Sequence, residues 1–377
     1  MRVNICMNKT HGGNIWKIAK ENSFKPEDII DFSASINPLG LSPDARRRMM
    51  ESVSILGHYP EPCADMIRHG LAKFHNLSSE NIIAGNGSTE FIHLLPQIFR
   101  PKKAIIVEPA FSEYRNALEL CGCEIKGFMA HEDEGFIPDV KRLYSAVRAG
   151  CDMVYICNPA NPTGVLLQRR DIVEVAKECS RNSAVLVVDE AFMDFAEGES
   201  VKREAADLDN LIVIRSMTKF FGMAGLRLGY IISNKRLIKR FEDFKPPWSV
   251  NTLAIIAGIE SLQDTDFIMA TTRWFEEERE FLYNGLNAIA GLKAYPSSAN
   301  YFLVKILQKD ISSATLQAAL LSEGILIRDC SLFPGMDSTF FRVAVRRREE
   351  NRLLLNNMER LLSPAFVFKQ GMAERSL

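Results

Sequence analysis

Lys219 closes the run Arg215-Ser216-Met217-Thr218-Lys219, and Arg227 follows eight residues later inside Gly225-Leu226-Arg227-Leu228-Gly229. Thirty residues before the lysine, the apolar run Val185-Leu186-Val187-Val188 ends in Asp189. Earlier still come Asn158-Pro159-Ala160-Asn161-Pro162-Thr163-Gly164 and Gly85-Asn86-Gly87-Ser88-Thr89-Glu90. These segments supply an amine, a buried carboxylate, an amide beside a turn, and a hydroxyl with a guanidinium. An attacking amine must be deprotonated, which burial near other cations encourages. A hydroxyl and a guanidinium together hold a phosphate, the guanidinium through charge-assisted hydrogen bonds. These are the groups needed to hold a phosphorylated pyridine aldehyde as a Schiff base.

Each group also has a plainer reading. Most lysines are solvated, an acid after a strand often caps a helix, and Asn161 before proline suits a turn. The Gly85–Glu90 turn matches a dinucleotide fingerprint only in part, because Glu90 takes the place of its third glycine. As a helix start it still presents free N–H groups and a positive dipole end to an anion. The order and spacing of all the segments together favour the chemical reading.

The elements that must position these groups are legible as alternating patterns. Short apolar runs at Asn81–Ala84, Ala104–Val107, Glu124–Phe128, Met153–Cys157, Val185–Asp189, Leu211–Arg215 and Leu228–Ile232 are mostly followed by helix-length segments. That alternation predicts an α/β fold with a mostly parallel seven-stranded sheet covered on both faces. Ligands of such sheets sit at the carboxyl ends of strands, where Asn158, Asp189 and Ser216 fall. Beyond Pro246 a helical stretch is expected over Asn251–Gly291. Strands follow at Leu292–Tyr295, Asn300–Lys305, Ile325–Arg328 and Phe340–Val345, which reads as a smaller α+β domain.

Composition removes several classes of function. A net charge of −1 over 377 residues gives no electrostatic case for nucleic acid or a membrane surface. No apolar run reaches transmembrane length, and the N-terminus lacks the apolar stretch of a signal peptide. Eight cysteines without paired spacing read as reduced thiols, hence a cytoplasmic protein. No HExxH occurs, so no metal is expected.

The motifs and their order resemble the aspartate-aminotransferase superfamily, the fold-type-I enzymes that use pyridoxal 5′-phosphate. The resemblance runs from His11 to about Leu362. It implies a large cofactor-binding domain over residues 46–250 and an interdomain helix with a small C-terminal domain over 251–365. Residues 1–45 would form an arm packed with the small domain, and 366–377 a tail. It also implies roles. Lys219 would carry the cofactor and Asp189 would keep its pyridine nitrogen protonated. Gly87, Ser88, Thr89, Ser216 and Arg227 would hold its phosphate, Asn161 would donate to its phenolic oxygen, and Phe111 would stack on its ring. Tyr59 would reach the phosphate of a neighbouring subunit, making a homodimer with shared sites. Phe192 is a departure, since many aminotransferases place a tyrosine there.

Within the superfamily, His11-Gly12-Gly13-Asn14, Asp31-Phe32-Ser33-Ala34-Ser35-Ile36-Asn37-Pro38-Leu39-Gly40, Asp189-Glu190-Ala191-Phe192 and Pro247-Trp248-Ser249-Val250-Asn251 resemble the threonine-phosphate decarboxylase family more than histidinol-phosphate aminotransferases. That likeness implies a small phosphorylated amino-acid substrate. His11, Gly12, Gly13 and Asn37 would contact it, with Arg342 gripping its carboxylate and Arg328 serving its phosphate or its carboxylate. Two adjacent glycines let consecutive N–H groups converge on a phosphate, and a protonated His11 would add charge.

Overall fold

The computed structural model of the protein describes residues 12–363. Its strands are β1 (Ile30–Asp31), β2 (Ile82–Asn86), β3 (Lys103–Glu108), β4 (Glu124–Met129), β5 (Met153–Cys157), β6 (Val185–Asp189) and β7 (Leu211–Ser216). They continue with β8 (Leu228–Ile232), β9 (Leu292–Ala294), β10 (Tyr301–Ile306), β11 (Ile325–Leu326), β12 (Arg328–Asp329) and β13 (Phe340–Ala344).

Seven strands form one sheet in the order β2-β8-β7-β6-β5-β3-β4. Its middle reads as unbroken aliphatic sequence because both faces are covered. Leu186, Val187 and Val188 of β6 are all wholly buried. On one face Leu186 and Val188 pack with Leu71, Val175 and Ala254, from helices Asp65–His75, Arg169–Arg181 and Thr252–Gln263. On the other, Val187 packs with Leu95, Leu118 and Phe241, from Ser88–Phe99, Ser112–Leu120 and Lys235–Phe244. Each such side chain contributes roughly 1.5–3 kcal/mol through burial. The departure from parallel order is β8, antiparallel to both β2 and β7. Only residues 217–227 separate β7 from β8, with a single 3-10 turn, Ala224–Leu226, among them. A parallel return needs a crossover of a dozen or more residues, usually through a helix. The short link therefore turns the chain back, and this same link carries Lys219 and Arg227.

A second, antiparallel sheet has the order β12-β13-β10-β9. The N-terminal segment joins this region: β1 pairs in parallel with β11, and Ala344 N–H donates to Phe32 O at 2.9 Å. Two sequence expectations change here. The strand expected over Ile325–Arg328 is two strands in two sheets, β11 on β1 and β12 on β13. The break falls at Ile327, whose carbonyl is taken by the Gln317 side chain at 2.6 Å. The helix expected over Asn251–Gly291 is two, Thr252–Gln263 and Thr265–Ala288. Asp264 divides them by accepting from Phe267 N–H at 2.9 Å as the second helix's N-cap, and it also binds Ser42 Oγ at 2.6 Å.

Candidate active site

A cavity of about 360 Å³ lies at the carboxyl ends of the large sheet's central strands and against the second sheet; Phe111, Asn161, Phe192, Lys219, Arg328 and Arg342 all line it. Lys219 reaches it from the short β7–β8 link, where the lysine carbonyl accepts from Asn37 N–H at 3.0 Å. Its Nζ sits 5.5 Å from the centre of the Phe192 ring. Among the described residues Nζ has no hydrogen bond or ion pair. Burial, reinforced by the positive charges of Arg342 and Arg227, brings the amine down from 10.5 to about 8, although Asp189 pulls the other way. Roughly a tenth of this amine is therefore neutral at pH 7, far more than of an ordinary lysine, and the neutral form is what a nucleophile requires.

Asp189, the last residue of β6, is 4% exposed. One carboxylate oxygen accepts from the Tyr114 hydroxyl at 2.6 Å and the other from Ala191 N–H at 2.9 Å. Burial pushes its carboxyl above the ordinary range, and the Tyr114 hydroxyl, the Ala191 N–H and the Lys219 charge pull it down. A cation brought beside it would be strongly held, since the carboxylate has lone pairs left and little water.

The corner expected to hold the phosphate is assembled from three segments. Helix Ser88–Phe99 begins after Gly87, whose φ is +77°. A Cβ on that glycine would lie 2.5 Å from Arg227 Nη2 and displace the guanidinium, and the positive φ would strain any other residue there. Arg227 itself holds φ +58°, and its Nη1 donates to Ala224 O at 3.0 Å, with no carboxylate partner among the described residues. Ser216 and Thr218 are buried with their hydroxyls 2.8 Å apart. Ser88 and Thr89 occupy the helix's first turn, where main-chain N–H groups lack intrahelical partners.

The opposite wall is built by the second sheet. Arg328 on β12 and Arg342 on β13 are cross-strand partners. Arg342 donates to Ser33 O at 2.9 Å and to Asn161 Oδ1, and stacks over the Tyr301 ring at 4.9 Å. Burial and Arg342 hold the Arg328 guanidinium below its ordinary value. Gly12, Ser33 and Ser35 line the cavity as well. Gly13 N–H donates to Ser33 Oγ at 2.9 Å, and a side chain on Gly12 would collide with the Ser33 carbonyl.

The residues expected to act together thus converge in large part. Phe111 lines the cavity, its ring edge-on to Tyr114 at 5.8 Å. Asn37 is a correction. Its NH2 donates to Phe220 O at 2.8 Å and Thr271 Oγ1 at 3.0 Å, and its Oδ1 accepts from Leu39 N–H at 2.9 Å. Both donors are taken, and the residue anchors the Lys219 link rather than meeting a substrate. Tyr59 lies away from this chain's cavity, 85% exposed and tilted on Trp248 at 5.4 Å. His11 falls outside the described residues. Three groups were not singled out from sequence. Tyr114 stands three residues after Phe111, Thr218 immediately precedes Lys219, and Ser35 has a buried hydroxyl with no hydrogen-bond partner.

The profile of one family, aminotransferase class I and II, matches residues 27–357, and the chain belongs to it. Threonine-phosphate decarboxylase of Salmonella typhimurium is 37% identical over 359 residues, spanning 94% of this chain and 97% of that protein. Among solved structures, histidinol-phosphate aminotransferase from Clostridium acetobutylicum aligns with TM-score 0.82 at 30% identity, over 88% of this chain and 98% of that one. L-threonine-O-3-phosphate decarboxylase from Porphyromonas gingivalis aligns with TM-score 0.78 at 29% identity, over the same shares of 88% and 98%. The cofactor of this family's fold-type-I enzymes, and of this chain, is pyridoxal 5′-phosphate. The side chains fit it: an unpaired half-buried amine, a buried carboxylate, and a glycine-shaped anion corner with an uncompensated guanidinium.

Proposed function

We propose that the chain is a carboxy-lyase that decarboxylates L-threonine O-3-phosphate to an aminopropanol phosphate, the step expected of a cobalamin-forming route. The observation that carries this is the pair Arg328 and Arg342, facing each other across two strands onto the Lys219 cavity. The pair suits a substrate with two anions, a carboxylate and a phosphate. The 37% identity to a threonine-phosphate decarboxylase supports the same reading.

When bound, pyridoxal phosphate supplies an electron sink for whichever bond is broken at the substrate's α-carbon. The chain's residues decide which bond that is. Lys219 holds the cofactor and afterwards returns a proton to the α-carbon. Asp189, oriented by Tyr114, keeps the pyridine nitrogen protonated. Gly87, Ser88, Thr89, Ser216, Thr218 and Arg227 grip the cofactor phosphate, Asn161 donates to its phenolic oxygen, and Phe111 covers its ring. Arg342 binds the substrate carboxylate by its planar fork, and Arg328 with Gly12 and His11 takes the substrate phosphate; Gly13, expected beside them, has its N–H on Ser33 Oγ instead. Two clamps fix the rotation of the substrate and so set its carboxylate bond, rather than its C–H bond, for cleavage. Phe192 and the Leu332–Pro334 loop exclude water from the reacting carbon.

The same reading includes a homodimer. Met50, Val53, Tyr59, Met66 and Trp248 leave apolar surface exposed, with values of 71%, 56%, 85%, 60% and 48%. A second copy covering it would bring Tyr59 to the partner's cofactor phosphate. The division of the chain near residues 45, 250 and 365 and a cytoplasmic location belong to the proposal too. The test is to give the holoenzyme threonine O-phosphate and measure CO2 against keto acid. CO2 without keto acid is the expected result, and free threonine should react poorly because phosphate binding no longer orients the reacting bond. Exchange of amino groups between histidinol phosphate and 2-oxoglutarate, with no CO2 from threonine phosphate, would establish the aminotransferase alternative instead.

A further inference from the structure

Consecutive residues of a strand point to opposite faces of the sheet. Asp189 and Glu190, at the end of β6, obey this: Asp189 binds Tyr114 on the cavity side, and Glu190 binds Arg215 on the other. Arg215, on β7 just before Ser216, is wholly buried and does not line the cavity. It holds three acids at once. Glu190 lies at 3.1 Å, and Asp194 and Glu197 each at 2.6 Å. Glu190 also accepts from Ser200 Oγ at 2.6 Å and from Val201 N–H at 2.8 Å.

These three acids are not spread at random. They are spaced along the one stretch that leaves β6 without entering another strand, built of two 3-10 turns, Met193–Phe195 and Glu197–Glu199. Phe192 lies between the first acid and the second. It is 5% exposed, lines the cavity, meets the Tyr301 ring edge-on at 4.9 Å, and forms the apolar surface beside Lys219 Nζ. We infer that Arg215 is a positioning residue: by tying Glu190, Asp194 and Glu197 to one guanidinium on the sheet's far face, it fixes the turn that presses Phe192 against Lys219 and keeps water from the amine. A guanidinium suits this work because its donors lie in a rigid planar fork and its charge is permanent. The other titratable groups of the cluster are Lys202, which pairs with Glu197, and His75, which touches Lys202 at 3.2 Å and the Tyr230 hydroxyl at 2.7 Å. On the cavity side the charged groups acting on Lys219 are Asp189, Arg227 and Arg342.

The inference rests on Lys219 as the cofactor's amine and is independent of which amino acid is the substrate. It is tested with the cofactor-free full chain by measuring covalent capture of added pyridoxal phosphate against pH, trapped with borohydride and located at Lys219 by mass. The wild type should reach half its maximal rate near pH 8. In Arg215→Met, water admitted beside the amine should raise that midpoint by about one unit, and kcat per bound cofactor should fall. Asp194→Asn and Glu197→Gln each release one anchor while the guanidinium keeps two, so they should fold and show smaller upward shifts. If Arg215→Met melts earlier yet keeps the wild-type midpoint and kcat, Arg215 is only structural and the inference is overturned. If Arg215→Met does not fold, unchanged midpoints in both milder variants overturn it equally. Failure of the wild type to capture cofactor at Lys219 at any pH would instead bring down the Lys219 reading and this inference together.

Discussion

Arg215 and Arg342 are both buried, at 0% and 7% exposure, yet they keep opposite company. Arg215 is surrounded by Glu190, Asp194 and Glu197. Arg342 binds one backbone carbonyl, one amide oxygen and one aromatic face, with Arg328 and Lys219 nearby and no carboxylate of its own among the described residues. Removing a cation from water costs several kcal/mol, which a folded chain offsets by placing an acid beside it. Where that is done, as at Arg215, the charge serves the fold. Where it is not, as at Arg342 and Lys219, the positive charge left facing the cavity suits an incoming anion. The division runs through the sheet itself, structural charge on one face and ligand charge on the other, with Asp189 and Glu190 as adjacent residues facing each way.

The largest test of this division is Lys219→Ala. Turnover should vanish, and borohydride should no longer fix cofactor to the chain, because no other described amine shares the cavity lining. Melting of the cofactor-free chain should be unharmed, since the lysine carries no hydrogen bond or ion pair whose loss would be felt. Cofactor still fixed covalently to the variant would show that the uncompensated amine is not the ligand amine.

Arg215→Met and Arg342→Met sharpen the comparison further. Removing one partner from a buried charged cluster typically costs about 3–5 kcal/mol, so Arg215→Met should lower the denaturant midpoint markedly. Arg342→Met gives up two neutral acceptors and relieves repulsion from Arg328 and Lys219. Its stability change should stay within about 2 kcal/mol, while kcat/KM falls by a factor on the order of a thousand. Equal stability losses in the two variants would erase the distinction.

Asp189→Asn probes the boundary residue. Its carboxylate is half satisfied inside the chain, by Tyr114 and Ala191, and half available to a cation. The amide keeps the fold but cannot hold a pyridine nitrogen protonated, so kcat should drop by about a hundredfold to a thousandfold, the scale of losing one electrostatic stabiliser. A near-normal kcat would place Asp189 with Glu190, on the structural side.

Which of these assignments sequence could reach follows from the range of the interactions. Asp189, Lys219 and Arg227 were legible because a strand end and a glycine-bracketed turn are local patterns. The seven apolar runs marked the seven strands of the large sheet to within two residues at each end, most clearly at the central strands β5, β6 and β7, where burial on both faces leaves an aliphatic signature. Asn37 was misread because its motif is local and its partners are not: Phe220 and Thr271 lie 183 and 234 residues away. Tyr114 escaped notice for the same reason, its partner Asp189 being 75 residues on. The split at Ile327 was hidden because Ile325-Leu326 and Arg328-Asp329 are separated by one residue, with no glycine or proline between them to mark that they pair with different sheets. Arg215 stood in the quoted motif throughout, but nothing local tells that three acids will close around it.

The smallest effect concerns the protonation of Lys219 itself. Burial and its cationic neighbours lower it to about 8. A group whose folded pKa is depressed loses its proton at lower pH than an ordinary lysine, and only the neutral amine attacks a carbonyl. With a pKa of about 8, the neutral fraction rises from roughly a tenth at pH 7 to roughly nine-tenths at pH 9. Covalent capture of pyridoxal phosphate by the cofactor-free chain should therefore accelerate about tenfold over that range and then level off. An unperturbed lysine would accelerate about a hundredfold across the same two units and keep rising beyond them. Stopped-flow absorbance of the captured cofactor separates these shapes. Replacing Arg342 with methionine removes one of the two cations that depress the amine, so the plateau should begin at higher pH in that variant. A plateau that stays in place would mean that burial and Arg227 set the lysine, and that the Arg342 guanidinium across the cavity does not reach it.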